Sequence, residues 1–520
     1  MNQETTSRYW LDSVLDQVQA RTSGRVLVCS GITPSGPYHV GHGREILTAE
    51  AIRRGLEARG QEAHHIHNVD DFDALRKRYP YLPESYEQEA GKPVYLVPAP
   101  DGISKSYAEQ YFSEYAAAAD KLGIPMEIWR SHQEYQKGAF ADVIHTALQR
   151  RDDIARILAE ISGREVDAAW QPVQILDAQT SSLRTAEFLS YDQSAQLVHY
   201  RAEDGTELTA DPKRGQVKLD WRVDWPARWH MLGVVVEGFG KEHATKGGSY
   251  DTGAAIQREI FGTEPPIPVP FNPINLKGDT QKMSSSLGNL VSIGDALEII
   301  PPDVLRYFVF KSLPQKVLEF DPGLGMYNLV DEYAATETAV QAGEPTDFEA
   351  AWKVSALDPA HATVSTVPFS HLVTVYQTAR REARAALALL KQTHPQAVEN
   401  QSQILEREFG YIGRWLDSKY APESVKFSVQ ETLSSLDLDM NSSQLNYLTA
   451  LQTRLESGAW DGESIQAAIF ETAKAQELPP RDAFTLLYEL FIHKTAGPKL
   501  GPFLASLEPD FVLARLKQER

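Results

Sequence analysis

Apolar positions in the first part of the chain change their period several times, and each change marks an element. Trp10, Leu11, Val14, Leu15 and Val18 recur at helical spacing, which predicts an amphipathic N-terminal helix. The run "RVLVCS" reads as a strand and "GITPSGPYHVGH" as a glycine- and proline-rich turn. Ile46, Leu47, Ala49, Ile52 and Leu56 then form the inward face of a helix that stops at Gly60, and "EAHHIHNV" follows as a second strand. Strand, helix and strand make a βαβ unit, and ligands of such units sit beyond the carboxyl ends of the strands. The turn and the segment "NVDDFD" both lie at that edge.

Residues 100–165 read as helices, "SYAEQYFSEYAAAADKLG" most clearly. Short alternating runs with Asp-Gly and Pro-Lys turns over residues 166–220 predict a small β-rich insertion. The α/β pattern resumes at residue 221 and closes near residue 330. Residues 331–520 are almost wholly helical in pattern, with a linker-like stretch over residues 342–369. The expected organisation is therefore α/β: a first half over 1–165, an insertion over 166–220, a second half over 221–330 and an all-α region over 331–520.

The length of 520 residues, with 42% hydrophobic and 23% charged residues, suits a multi-domain globular enzyme. The single cysteine, Cys29, excludes an intramolecular disulfide and any multi-cysteine zinc knuckle, and its apolar neighbours make it a buried small hydrophobe. A net charge of −20 argues against general nucleic-acid affinity, so a nucleic-acid partner would need local basic patches. Arg76, Lys77 and Arg78, and Arg380, Arg381 and Arg384 on one helical segment, are candidates, each also readable as a solvated face. Neither a signal peptide nor a membrane span is expected, which points to the cytoplasm.

The turn raises a chemical question, because His39 and His42 stand three apart among glycines where a helix begins. A glycine-rich turn feeding a helix N-terminus exposes backbone N–H groups to a phosphate, and the histidines can add hydrogen bonds. An unspecialised turn fits the spacing equally well, and a metal site fits it less well because no third ligand is near. The histidines of "HHIH" are read as half-exposed strand residues. Far downstream, "KMSSSLGN" places Lys282 before Ser284, Ser285 and Ser286 in a polar loop.

The pair is more specific than either part. His-Val-Gly-His resembles the HIGH signature, and Lys-Met-Ser-Ser-Ser the KMSKS signature, of class I aminoacyl-tRNA synthetases. "GITPSGPYHVGHGRE", "HNVDDFDALRKRYP", "WRVDWPARW", "GKEHATKGGSYDTG", "KMSSSLGN" and "GPKLGPFL" resemble, in sequence and order, the class I lysyl-tRNA synthetase family. The resemblance is dense over residues 25–330 and sparse beyond.

It implies a Rossmann-like HIGH-type catalytic domain with an insertion, then helical stem-contact and anticodon-binding regions. It implies activation of L-lysine by ATP with Mg2+, and transfer to the 3′ end of tRNA(Lys), by a protein expected to be a monomer. His39, His42 and Lys282 would be catalytic. Pro34, Ser35, Gly36, Gly41, Met283, Ser284, Ser285 and Ser286 would join them around ATP. Gly31, Thr33, Trp221, His243, Tyr250, Asp251 and Phe271 would hold the amino acid, with Glu45 opposite its ε-ammonium. An acidic residue in a first helical turn is also favoured by the helix dipole alone.

Four departures stand out. His42 replaces an asparagine frequent in the family, and Leu287 a lysine. Phe271 replaces a tyrosine near the lysine side chain, which keeps arginine in view as a substrate, while Glu45 opposes glutamate by charge. The insertion carries no cysteine, so no structural zinc is expected. A non-catalytic tRNA-binding paralogue and a small-molecule nucleotidyltransferase are rival readings; intact His39, His42 and Lys282 oppose the first, and the long helical region opposes the second.

Overall fold

The computed structural model describes residues 8–163, 165–278, 290–430 and 440–518. Trp10–Arg21 (α1) leads into Val26–Ile32 (β1), Val40–Ala58 (α2), Ala63–Val69 (β2), Tyr107–Lys121 (α3) and Met126–Arg130 (β3). Helices Ser131–Gln136 (α4), Ala141–Gln149 (α5) and Arg151–Ser162 (α6) follow. After the insertion come Trp221–Leu232, Val236–Gly240, Ser249–Glu259 and Ile267–Phe271.

Five of these strands form one parallel sheet, in the spatial order Ile267–Phe271, Val236–Gly240, β1, β2, β3. From β1 the chain first adds β2 and β3 on one side and only later returns to add Val236–Gly240 on the other. The order therefore reverses beside β1, and the crevice beyond its carboxyl end is where an open parallel sheet accepts ligands. The strand β3 lies within the segment read as helical. Its "MEIWR" sequence buries only Trp129 fully, because it is the sheet edge, and so carries no strong strand period. His65 and His67 of β2 are buried rather than half-exposed, and both rings bond the Ser30 hydroxyl at 2.7 Å. A strand buried on both faces does not alternate.

The helix α2 packs on the sheet and under α1. A side chain at Gly55 would come within 2.8 Å of Leu15 and 2.9 Å of Leu11, so glycine there lets the two helices meet closely. Arg44 of α2 is buried, and its guanidinium donates to the carbonyls of Asn272, Pro273 (3.3 Å), Leu313 (3.2 Å), Pro314 (3.0 Å) and Lys316 (2.9 Å). Burial lowers its pKa to about 10, which leaves it cationic at neutral pH.

Residues 166–220 hold short antiparallel strands: Val173–Ile175 (β4), Glu187–Asp192 (β5), Leu197–Arg201 (β6), Glu207–Ala210 (β7) and Val217–Leu219 (β8). Val198, Tyr200, Ala210 and Val217 are buried there, and the Asp177 carboxylate accepts from Gln179 N, Thr180 Oγ1 and Thr185 Oγ1. The strand β8 is followed by Asp220, which caps Trp221–Leu232 (α7); Val236–Gly240 is β9, Ser249–Glu259 is α8 and Ile267–Phe271 is β10.

The chain divides into two compact units. Met1–Leu297, Leu305–Phe320 and Lys353–Ser355 form one; Glu298–Val304, Asp321–Trp352 and Ala356–Arg520 form the other. The second is helical, with Tyr327, Phe369 and Trp415 packed together and a later core around Tyr447, Leu451, Leu487 and Phe503. Two expectations change here. The stretch read as linker-like carries the helix Glu349–Ser355, and its Thr363 and Val364 amides are held by Glu337. Arg380 and Arg381 lie in the turn between Phe369–Thr378 and Ala383–Thr393, both with left-handed φ, so they do not share a helical segment with Arg384. Arg381 pairs with Asp417 at 2.5 Å. Among the described residues no helix is long and apolar enough to cross a membrane.

Replacing Arg44 by methionine keeps the packing volume but leaves a set of buried carbonyls without a donor. We expect Arg44→Met to destabilise the first unit by roughly 3–5 kcal/mol, by analogy with breaking a buried charged network. Denaturant unfolding followed by tryptophan fluorescence checks this; a midpoint equal to that of the parent protein would contradict it.

Candidate active site

The turn after β1 ends at His39, which takes an extended conformation (φ −128°, ψ 170°) and caps α2. Its Nδ1 accepts from the Gly41 amide at 3.1 Å, while the His39 amide donates to Nδ1 of His42 at 3.0 Å. This reciprocal cap uses both Nδ1 atoms as acceptors. A neutral imidazole so held carries its proton on Nε2, so both rings are set as Nε2–H donors. The ring centroids lie 3.8 Å apart. A side chain at Gly41 would meet the His39 ring at 2.7 Å, which explains the glycine between them.

One turn further, Glu45 Oε1 accepts from the Gly31 amide at 2.9 Å. Burial pushes the Glu45 carboxyl up to about 8; the Gly31 bond opposes this, and Glu237, Asp70 and Glu242 reinforce it. Without a cationic ligand the group therefore holds a proton at neutral pH.

Glu45 faces a cavity of about 330 Å³ at the carboxyl ends of β1 and β9. Gly31, Thr33, His39, Gly41, His42, Trp221, His243 and Phe271 also line it. One wall is aromatic. Trp221 and Trp225 stand one helical turn apart with ring centroids 5.4 Å apart; Trp221 lies 5.3 Å from His243, and Trp225 lies 5.2 Å from Phe239. Beside them the buried Glu237, which also lines the cavity, accepts from the indoles of Trp225 (3.1 Å) and Trp229, which fixes both rings. Such a wall, with Glu45 beside it, suits an alkyl chain ending in a cation.

Other residues fall elsewhere. Ser35 lines a smaller cavity of about 270 Å³, together with Thr33 and His42, and its carbonyl accepts from Tyr107. Pro34 and Gly36 are buried in the turn and line neither cavity. Tyr250 stacks on Phe239 and donates to the Pro266 carbonyl, while Asp251 accepts from the Gly247 amide; neither lines the cavity. Lys282, Met283, Ser284, Ser285, Ser286 and Leu287 lie outside the described residues.

Sequence reasoning did not single out the ionic cluster beside the cavity. Arg228 pairs with Asp70 at 2.7 Å, and Lys218 with Asp73 at 3.2 Å and Asp224 at 3.4 Å. Its signal was present in "NVDDFD" and in the four-residue spacing of Asp224 and Arg228, but not the pairing between them.

The comparisons with known proteins agree on one family. The model described as "tRNA synthetases class I (K)" matches residues 8–358, and an anticodon binding domain matches residues 421–519. The chain belongs to the class I tRNA synthetases (K). Relatives named lysine--tRNA ligase are similar along their whole length: Methanosarcina acetivorans, 38% identical over 98% of both chains; Archaeoglobus fulgidus, 36% over 98% of this chain and 99% of that one; and Thermococcus kodakarensis, 33% over the same shares. In this class I synthetase the signature histidines thus sit at the reversal point of the sheet, with the acid-lined cavity beside them.

The Glu45 shift has a measurable sign. Between its ordinary value and about 8 the folded protein holds a proton that the unfolded chain releases, so this group's contribution to stability falls as pH rises through that window. Glu45→Gln removes the dependence. The variant should gain about 1–3 kcal/mol on the parent protein between pH 5 and 8 in denaturant unfolding. Parallel pH profiles for the two proteins would contradict the shift.

Proposed function

We propose that the protein activates L-lysine with ATP and transfers the lysyl group to the 3′ end of tRNA(Lys). The observation that carries this is one cavity lined by the Glu45 carboxylate, by the rings of Trp221 and Trp225, and by His39 and His42, whose reciprocal cap opens α2. End-to-end likeness to proteins named lysine--tRNA ligase, and the anticodon binding domain, support it.

In the first step the lysine carboxylate attacks the α-phosphate and pyrophosphate leaves, so the protein mainly positions groups and neutralises charge. Nε2–H of His39 and His42, with the N-terminus of α2, donate to the phosphate oxygens as charge builds. Mg2+ enters with ATP as part of the substrate. The ε-ammonium displaces the Glu45 proton and pairs with the carboxylate, while its methylenes lie along Trp221. In the second step a terminal ribose hydroxyl of the tRNA attacks the activated carbonyl and AMP leaves. Lys282 acts on the phosphates in the transition state. We take the protein to work as a monomer in the cytoplasm.

ATP–pyrophosphate exchange with each amino acid tests the reading, and exchange with lysine alone is expected. Glu45→Gln should raise the KM for lysine about 10²-fold with a smaller change in kcat. Lys282→Ala should lower kcat about 10²-fold with little change in KM. Exchange with arginine or glutamate in place of lysine would overturn the assignment.

A further inference from the structure

Glu45 accounts for one cation in the pocket, yet Asp70, Asp73, Glu237 and Glu242 line the same cavity, and two of these belong to one ionic cluster. Asp70, Asp73 and Asp224 meet Lys218 and Arg228 in one cluster, with Arg228 Nε also 3.8 Å from Asp224 and the Tyr135 hydroxyl donating to Asp224 at 2.7 Å. Fully ionised, three carboxylates face two cations, and the cluster is one positive charge short. Side-chain exposure is 0% for Asp224, 2% for Lys218, 7% for Arg228 and 9% for Asp70, but 17% for Asp73. The surplus charge is therefore presented where Asp73 meets the cavity. Burial, with Asp73 and Asp224 close by, pushes the Asp70 carboxyl up to about 7 in spite of Arg228. An added cation at the rim relieves that strain.

Asp73 is held for such a contact. Its Oδ2 accepts from Thr33 Oγ1 at 2.9 Å and its Oδ1 lies 3.2 Å from Lys218 Nζ, and each oxygen keeps a further lone pair. Asp73 and Thr33 line both cavities, and the smaller one also contains Ser35 and His42 of the phosphate turn. The carboxylate that attacks phosphorus must lie near that turn, and the α-ammonium is one carbon away from it. Arg76 lines the same rim with the opposite charge, so the rim offers a partner to each half of an amino-acid head group.

We propose that Asp73, held by Thr33 and by Lys218 at the end of the β-rich insertion, binds the α-ammonium of the substrate and so requires an α-amino acid. Lys218 is a positioning residue: without it Asp73 faces Asp224 and Asp70 with one cation fewer. This rests on the reading of lysine as substrate.

The test uses 6-aminohexanoic acid, which keeps the carboxylate and the terminal ammonium of lysine but lacks the α-ammonium. In pyrophosphate exchange by the full-length protein its Ki should exceed the KM for lysine by about 30-fold or more, the scale of losing one partner of a buried charge pair. Asp73→Asn should raise the lysine KM by a similar factor and leave the Ki of 6-aminohexanoic acid within about twofold of the parent value. Lys218→Met should raise the lysine KM in the same selective way, with Lys218→Arg restoring it. Thr33→Val serves as a second variant should Lys218→Met not fold. Equal affinity of the parent protein for both ligands, or equal weakening of both by Asp73→Asn, would overturn the inference while robust lysine exchange left the lysine reading standing. Silence of the parent protein with lysine would overturn both.

Discussion

The site depends on one buried guanidinium. Arg44 sits between Gly43 and Glu45 on α2, and it is satisfied by main-chain carbonyls from residues 272–273 and 313–316 rather than by a carboxylate. A cation balanced by carbonyl dipoles has strict geometric demands, because each dipole must point at it. Those contacts lock α2 against the backbone that follows β10. His42 and Glu45 on the one side, and Phe271 on the other, thereby keep their places around a common cavity. The reciprocal cap at His39 does the same work at shorter range, since it fixes the start of the helix and the tautomer of both rings together.

Electrostatically the cavity is under-supplied with positive charge. Glu45 and Asp70 are pushed up by burial, and Glu237 is raised too, even with two indole N–H groups and a nearby arginine. Each would be easier to ionise with a cation beside it. A substrate bearing two ammonium groups supplies what the folded protein lacks, and its binding couples to proton release from the pocket. The acidic overall charge of −20 fits a protein whose small-molecule substrate is cationic, and it leaves tRNA contact to local patches.

Much of this was legible in the residues. The period change from β1 to α2 to β2, the HVGH turn and the KMSSS segment point to the sheet edge and to the family from the residues alone. What escaped was long-range or two-sided. His65 and His67 look like exposed alternation, but β2 is covered on both faces, so polarity did not report burial. The strand β3 is an edge strand with one fully buried residue and was hidden among helices. Lys218 lies on β8 and Asp73 in the loop after β2, far apart in sequence, and nothing local announces their pairing. Tyr250 and Asp251 share a motif with pocket residues, yet Tyr250 bonds the Pro266 carbonyl, Asp251 bonds the Gly247 amide, and neither lines the cavity.

The central claim is that one cavity orients lysine between Glu45 and the histidine pair. A crystal structure with the non-hydrolysable lysyl-sulfamoyl-adenosine measures that most directly. The account predicts the ε-ammonium within hydrogen-bond distance of Glu45 and the sulfamoyl oxygens facing Nε2 of His39 and His42. An analogue bound with its side chain away from Glu45, or with its linker remote from both histidines, would contradict it.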